Sequence, residues 1–320
     1  AMATTKTMTT AVRTKGVARG RLLSPPLARS RDLAAWRRSA LGLDGGRRAG
    51  VAPTATATHR QGARRCVVAS AASAEELESE FGLAGSVRFE AGEGGLPKAV
   101  LTHVCGASCE VYLYGANILS WKQASGDEVL YVRPDAKFDK TKAISGGIPI
   151  CFPQFGPGVL RQHGFARDAD WSVGATSADY NPDDKDPCVE LILEDGELSR
   201  ECGFPHPFRV SYSVTLHRET LQTDFRVINT GKESFDFTAA LHSYFEVAGV
   251  ENASIEGLQG LGYLDKVGDP NNPTQVSGSA ASPGPLKITG ETDRVYGSAP
   301  QEVLLNVGTG AGIQIQNDGW

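Results

Sequence analysis

Short apolar runs of period two dominate the chain after its first seventy residues. In Thr220–Ile228, Leu221, Phe225 and Val227 alternate with Gln222, Asp224 and Arg226, the pattern of a half-buried strand. Similar runs occur at Glu110–Tyr114, Ile118–Trp121, Val129–Val132, Val189–Leu193, Val210–Leu216, Asp236–Val247, Val303–Val307 and Ile313–Gln316. Turn chemistry separates them, as at Asn229-Thr-Gly231 and Tyr180-Asn-Pro-Asp-Asp184. Two polar stretches, 176–187 and 268–285, read as surface loops. One short helix is expected near residue 74, where Ser73 and Glu76 have capping-box spacing. Many strands and few helices predict an all-β sandwich in one domain spanning 71–320.

Charge changes the picture at the N-terminus. Residues 1–70 hold fourteen basic groups against Asp32 and Asp44, a net charge of +12. They are rich in Ala, Ser and Thr and show no sustained apolar period. Such a leader reads as a transit peptide, disordered and addressed to the chloroplast, with cleavage expected near Ala69 or Ser70. A mitochondrial or cytoplasmic address is the lesser option, and a basic arm for nucleic acid the plainer one. The remaining residues hold 18 basic and 35 acidic groups, a net charge of −17 that suits neither nucleic acid nor an anionic membrane. No apolar run is long enough for a spanning helix. The six cysteines form no CxxC pair and read as free thiols.

Candidate chemistry begins at residues 146–167, GGIPICFPQFGPGVLRQHGFAR. Five Gly and three Pro break it, so it is neither strand nor helix. Phe152 and Phe155 can cover apolar faces. Gln162, His163 and Arg167 supply donors suited to a phosphate or to sugar hydroxyls. A buried loop whose polar groups serve its own backbone explains the same composition. His242, in the apolar run Ala239–Glu246, is either a satisfied core histidine or a proton-exchanging group. Asp293 and Arg294 precede a strand-like pair and say little alone. The remaining histidines lack metal-ligand spacing, so no metal and no cofactor are expected.

In order along the chain, GGIPICFPQFGP, QHGFAR with Trp171, LHSYFEV, GLGYLDK and ETDRVY resemble the plant glucose-6-phosphate 1-epimerases, hexose-6-phosphate mutarotases related to aldose 1-epimerase. The resemblance runs from about residue 85 to the end. It implies a galactose-mutarotase-like β-supersandwich that interconverts α and β anomers of hexose 6-phosphates by ring opening, without a cofactor. Its expected partner is a small sugar phosphate, and a monomer is expected. By position, His242 is implied as the general acid, and Gln162 and Arg167 as substrate ligands, with Arg167 the best phosphate contact. Asp293 is implied as a holder of sugar hydroxyls, with Asp265 a weaker candidate.

Two departures qualify this. Relatives carry Arg before the paired glycines where this chain has Ser145, so a phosphate contact is lost or comes from Lys140 or Lys142. The family's general base is a Glu in a strand that this chain does not reach, which implies truncation at the C-terminus. A non-catalytic sugar-phosphate binder and an aldose 1-epimerase for free sugars are the alternatives.

Overall fold

A computed structural model describes residues 5–15, 72–179, 184–281 and 283–319, the first of these as backbone alone. The expected cleavage site lies outside the described residues. In chain order the strands are β1 (Thr5–Lys15), β2 (Val87–Ala91), β3 (Pro97–Thr102), β4 (Ser108–Tyr112), β5 (Asn117–Lys122), β6 (Ile150–Cys151), β7 (Ser172–Ala178), β8 (Pro187–Glu194) and β9 (Phe208–Leu216). They continue as β10 (Thr220–Asn229), β11 (Ala240–Leu241), β12 (Ser254–Glu256), β13 (Tyr263–Asp265), β14 (Thr274–Val276), β15 (Leu286–Lys287), β16 (Arg294–Val295), β17 (Glu302–Asn306) and β18 (Gly312–Asp318). The described α-helices are α1 (Ala74–Phe81) and α2 (Glu197–Glu201). The first starts at the expected capping box: the Ser73 hydroxyl accepts from Glu76 N, and Ser73 N donates to the Glu76 carboxylate.

A nine-stranded antiparallel sheet runs in the order β15-β12-β17-β18-β1-β10-β9-β8-β7, and a four-stranded sheet in the order β2-β3-β4-β5. Their inner faces share one core. Phe89, Leu101, Val111, Ile118 and Trp121 from the smaller sheet join Leu191, Val210, Tyr212, Val214 and Phe225 from the larger. Alternation explains this: along β10, Leu221, Thr223, Phe225 and Val227 are buried while their neighbours are not. The pair β6-β11 and the three strands β14-β13-β16 form small separate sheets.

Two expected strands come out differently. Val129–Val132 and most of Asp236–Val247 are extended but make scattered bridges rather than a ladder. Tyr131 N donates to Tyr244 O, Tyr244 N to Gly147 O, His242 N to Pro149 O, and Thr238 N to Pro153 O. Pro149 and Pro153 have no N–H to return, so the ladder breaks where the 146–167 segment is the partner.

Within the stretch expected to be leader, Thr5–Lys15 lies as β1 in the middle of the large sheet. It is antiparallel to both neighbours, with Val12 opposite Leu221 of β10 and Ile315 of β18.

The 146–167 segment folds tightly against the core. Gly164 has φ 68°, and a Cβ there would drive into the carbonyl oxygen of Phe152, which accepts from Phe165 N at 3.0 Å and Ala166 N at 3.2 Å. Gly164→Ala therefore combines left-handed strain with a backbone clash. We expect it to lower stability by about 2–4 kcal/mol, read as a shift in the urea unfolding midpoint. An unchanged midpoint would refute the tight approach.

Candidate active site

Asn117, at the start of β5, anchors the Gly/Pro segment. Its buried side chain donates to Ile144 O and Gly146 O and accepts from Ile148 N at 3.0 Å. Farther along, the Gln154 side chain holds Leu160 N and Leu160 O, and Phe155 N donates to the Thr238 hydroxyl. Phe152 is fully buried, edge-on to Phe204, Phe208, Phe225 and Phe237. Phe155 stays exposed and lies against the ring of His163.

His163, within this segment, and His242, bonded to it through the backbone, come together. Their rings stand edge to face with centroids 5.6 Å apart, and the Tyr244 ring centroid lies 5.0 Å from that of His242. Backbone bonding of His242 and Tyr244 to Pro149 O and Gly147 O fixes that approach. His163 has φ 68°, and its Nδ1 accepts from Gly156 N at 3.1 Å. That bond assigns the proton of a neutral ring to Nε2, making His163 a hydrogen-bond donor rather than a base. Desolvation holds its imidazole below the usual range, and the charges of Arg167, His242 and Lys266 push the same way.

Folded-state depression of the His163 pKa makes stability complete above the unfolded value near 6.5. It is lost as pH falls through that value, because only the unfolded chain takes up the proton. His163→Asn, which tolerates the left-handed backbone, is expected to flatten the decline in Tm between about pH 7 and 5. An equally steep decline in the variant would remove His163 as its source.

Arg167 sits in a 3-10 turn, Ala166–Asp168, pinned by Trp171 Nε1 donating to Ala166 O at 2.9 Å. Arg167 Nη2 donates to Gln162 O at 3.1 Å, while its buried Nε has no hydrogen-bond partner among the described residues. Gln162 thus engages Arg167 through its backbone, and its side chain is exposed. Asp168 is paired with Arg161, and burial raises its carboxyl pKa despite that pairing.

Asp293 is exposed, ahead of β16, and its carbonyl accepts from Lys266 N at 2.9 Å. Asp265, in β13, turns a carboxylate oxygen to Val267 N. Both lie beside Lys266, whose charge reaches His163. Lys266 was not picked out by the sequence reading, although it follows Asp265 within GLGYLDK. Lys140 is engaged elsewhere: its ammonium holds both oxygens of Asp170 at 2.7 and 2.8 Å. That occupies one of the two lysines expected to stand in for Ser145.

Two other sites fit the chemistry less well. A cavity of about 640 Å³ is lined by Asp127, Glu128, Glu219, Glu246, Val307 and Ile313, among others, and by none of His242, Gln162, Arg167 or Asp293. Its carboxylates oppose a phosphate. Buried His103 places Nε2 3.4 Å from Asp184 Oδ1 and 3.3 Å from Asp186 Oδ1. Its Nδ1 accepts from Cys105 N at 3.1 Å, so a neutral ring carries its proton on Nε2 and has no lone pair there for a metal. No described helix is long and apolar enough to cross a membrane.

The family described as aldose 1-epimerase matches residues 97–320. A Cenchrus ciliaris protein named "Putative glucose-6-phosphate 1-epimerase" is 37% identical over 217 residues, covering 66% of this chain and 64% of that one. A Salmonella typhimurium protein of the same name is 35% identical over 193 residues, 58% of each. The chain therefore spans less than two thirds of the length of either relative. A solved Salmonella typhimurium structure described as a "putative mutarotase (YeaD)" superposes with a TM-score of 0.59 at 27% identity over 72% of each chain. Galactose 1-epimerase from Lactobacillus acidophilus matches with a TM-score of 0.50 at 16% identity over 70% of this chain and 77% of that one, a likeness of fold alone. The architecture is thus the galactose-mutarotase-like β-supersandwich expected from the sequence.

Proposed function

The chain belongs to the aldose 1-epimerase family, and on that premise we propose that it interconverts the α and β anomers of hexose 6-phosphates, with glucose 6-phosphate as substrate. The observation that carries this reading is the His163–His242 ring pair beside Arg167 and within reach of the Lys266 charge. Two cationic side chains near this histidine pair suit a phosphorylated sugar better than a free one.

Ring opening needs two proton transfers. The anomeric O1–H gives up its proton to a base, its electrons form the C1=O1 bond, and the C1–O5 bond breaks. His242 supplies the proton that O5 takes as it leaves. Rotation about C1–C2 turns the other aldehyde face to O5, and closure by the reverse transfers gives the opposite anomer. His163, protonated on Nε2 when neutral, donates a hydrogen bond to a sugar oxygen. Arg167 holds the phosphate, Gln162 assists it, and Asp293 binds hydroxyls. The base is left without a residue.

NMR exchange spectroscopy on the two anomers of glucose 6-phosphate tests the proposal, with free glucose as competitor. Faster exchange for the phosphate alone supports it. Equal acceleration of free glucose would favour an aldose 1-epimerase. No acceleration by a folded protein that still binds the phosphate would leave a sugar-phosphate binder.

A further inference from the structure

Arg161 and Asp168 bracket the residues proposed to meet the phosphate. Between them lie Gln162, His163 and Arg167. Arg161 Nη2 donates to the Asp168 carboxylate, and its Nε and Nη2 both donate to Gly164 O at 3.4 Å. The backbone closes the same turn, with Gly164 N donating to Arg161 O at 2.8 Å. His163 and Gly164 are both left-handed there, each with φ 68°. A residue other than glycine seldom holds that backbone without support.

The two ends of the ion pair are unequal. The Arg161 side chain is 52% exposed and that of Asp168 only 14%. Arg161 can therefore lose its partner and stay solvated, whereas Asp168 cannot. A buried carboxylate that loses its cation must find another or take up a proton. The other cation whose charge acts on Asp168 is Arg167, its neighbour in the chain. Lys140 is not available, because its ammonium holds Asp170. Arg167 makes no ion pair among the described residues, and its buried Nε has no hydrogen-bond partner among them. It stays open to an anion only while Asp168 is satisfied by Arg161.

We propose that Arg161 is a positioning residue for the phosphate site: by engaging Asp168 it leaves the Arg167 guanidinium to the ligand. The proposal rests on Arg167 as the phosphate contact of the reading above. Arg161 acts through Asp168 and Arg167 and needs no contact with the substrate.

The test compares Arg161→Gln, Arg161→Lys and the double variant Arg161→Gln with Asp168→Asn, each in the full chain. Glutamine can still donate to Gly164 O but carries no charge. Calorimetric titration reads the affinity for glucose 6-phosphate, and NMR reads the titration of the His163 imidazole. The Arg161→Gln variant is expected to bind about tenfold more weakly, because Asp168 takes over the Arg167 guanidinium. Where exchange is measurable, that loss should fall on KM and not on kcat. The charges acting on His163 are those of Arg167, His242 and Lys266, so Arg161 reaches it through Arg167. A paired Arg167 repels the imidazole proton less, and His163 should titrate at a higher pH in Arg161→Gln. Arg161→Lys should keep most of the affinity, since an ammonium still neutralises Asp168. The double variant should recover most of the loss and return His163 to its wild-type titration, because no carboxylate is left to compete.

A double variant as weak as Arg161→Gln alone would overturn the proposal, because Arg161 would then touch the phosphate or merely hold the turn. Unchanged affinity in Arg161→Gln would also overturn it. If the wild-type chain binds no glucose 6-phosphate, the proposed function fails, and His163 decides this inference by itself. A shift in Arg161→Gln that the double variant reverses would support it, and an unmoved His163 would overturn it.

Discussion

His242→Ala is expected to slow enzyme-catalysed anomer exchange of glucose 6-phosphate by about 10²–10⁴-fold, the usual worth of one positioned acid. The loss should fall on kcat, with KM little changed, because His242 is proposed to act on the ring oxygen in the transition state while Arg167 holds the phosphate. His242 is only half buried; its ring lies against those of His163 and Tyr244, and its backbone N–H donates to Pro149 O. An alanine keeps the backbone bond, so the sheet should survive, as far-ultraviolet circular dichroism would show. Undiminished exchange in a folded His242→Ala protein would remove His242 as the acid. His163 would then be the group to replace next, since it shares the ring pair.

Arg167→Ala should act on binding instead. One charge-assisted contact is worth about 1.5–3 kcal/mol, so KM for glucose 6-phosphate is expected to rise about tenfold to a hundredfold. Any residual turnover of free glucose should stay the same. Arg167→Lys is not expected to restore the wild-type KM, because an ammonium cannot present the planar fork and the Gln162 O bond together. Removing Arg167 also takes one of the cationic neighbours that hold His163 below the usual range. The His163 imidazole should therefore titrate at a higher pH in the variant, as its NMR signals would show. A KM rise shared by free glucose would mean that Arg167 shapes the segment rather than binds phosphate.

Legibility of the fold followed burial on one face. β9 and β10 were readable because each has one buried and one wetter side, which alternation reports directly. Asp236–Val247 misled because it meets a proline-broken partner, and alternation says nothing about whether that partner has an N–H to give; Val129–Val132 meets Tyr244–Glu246 and Gly146 only through isolated bridges and single bonds. β1 was invisible because it lies in a basic stretch without sustained apolar period, which read as a leader. Within the candidate site, His242 and Arg167 were visible as chemistry set in unusual local contexts. His163 was seen as a donor but not as the partner of His242, since their meeting depends on a left-handed backbone and on a segment about eighty residues away. Lys266 reaches the site through the small three-stranded sheet, which no local pattern announces.

The place of β1 also governs the order of events during synthesis. Its pairing partners begin at Thr220 and Gly312, so its β10 side can be paired long before its β18 side. Neither half of the sheet can join the other until the ribosome has released β18. Until then the β10 side of the sheet keeps an unsealed edge for the time needed to translate the 82 residues between β10 and β18, roughly 4–16 s at usual elongation rates. Long-range closure of that kind is slow, and a chaperone that shields β10 would act in this interval.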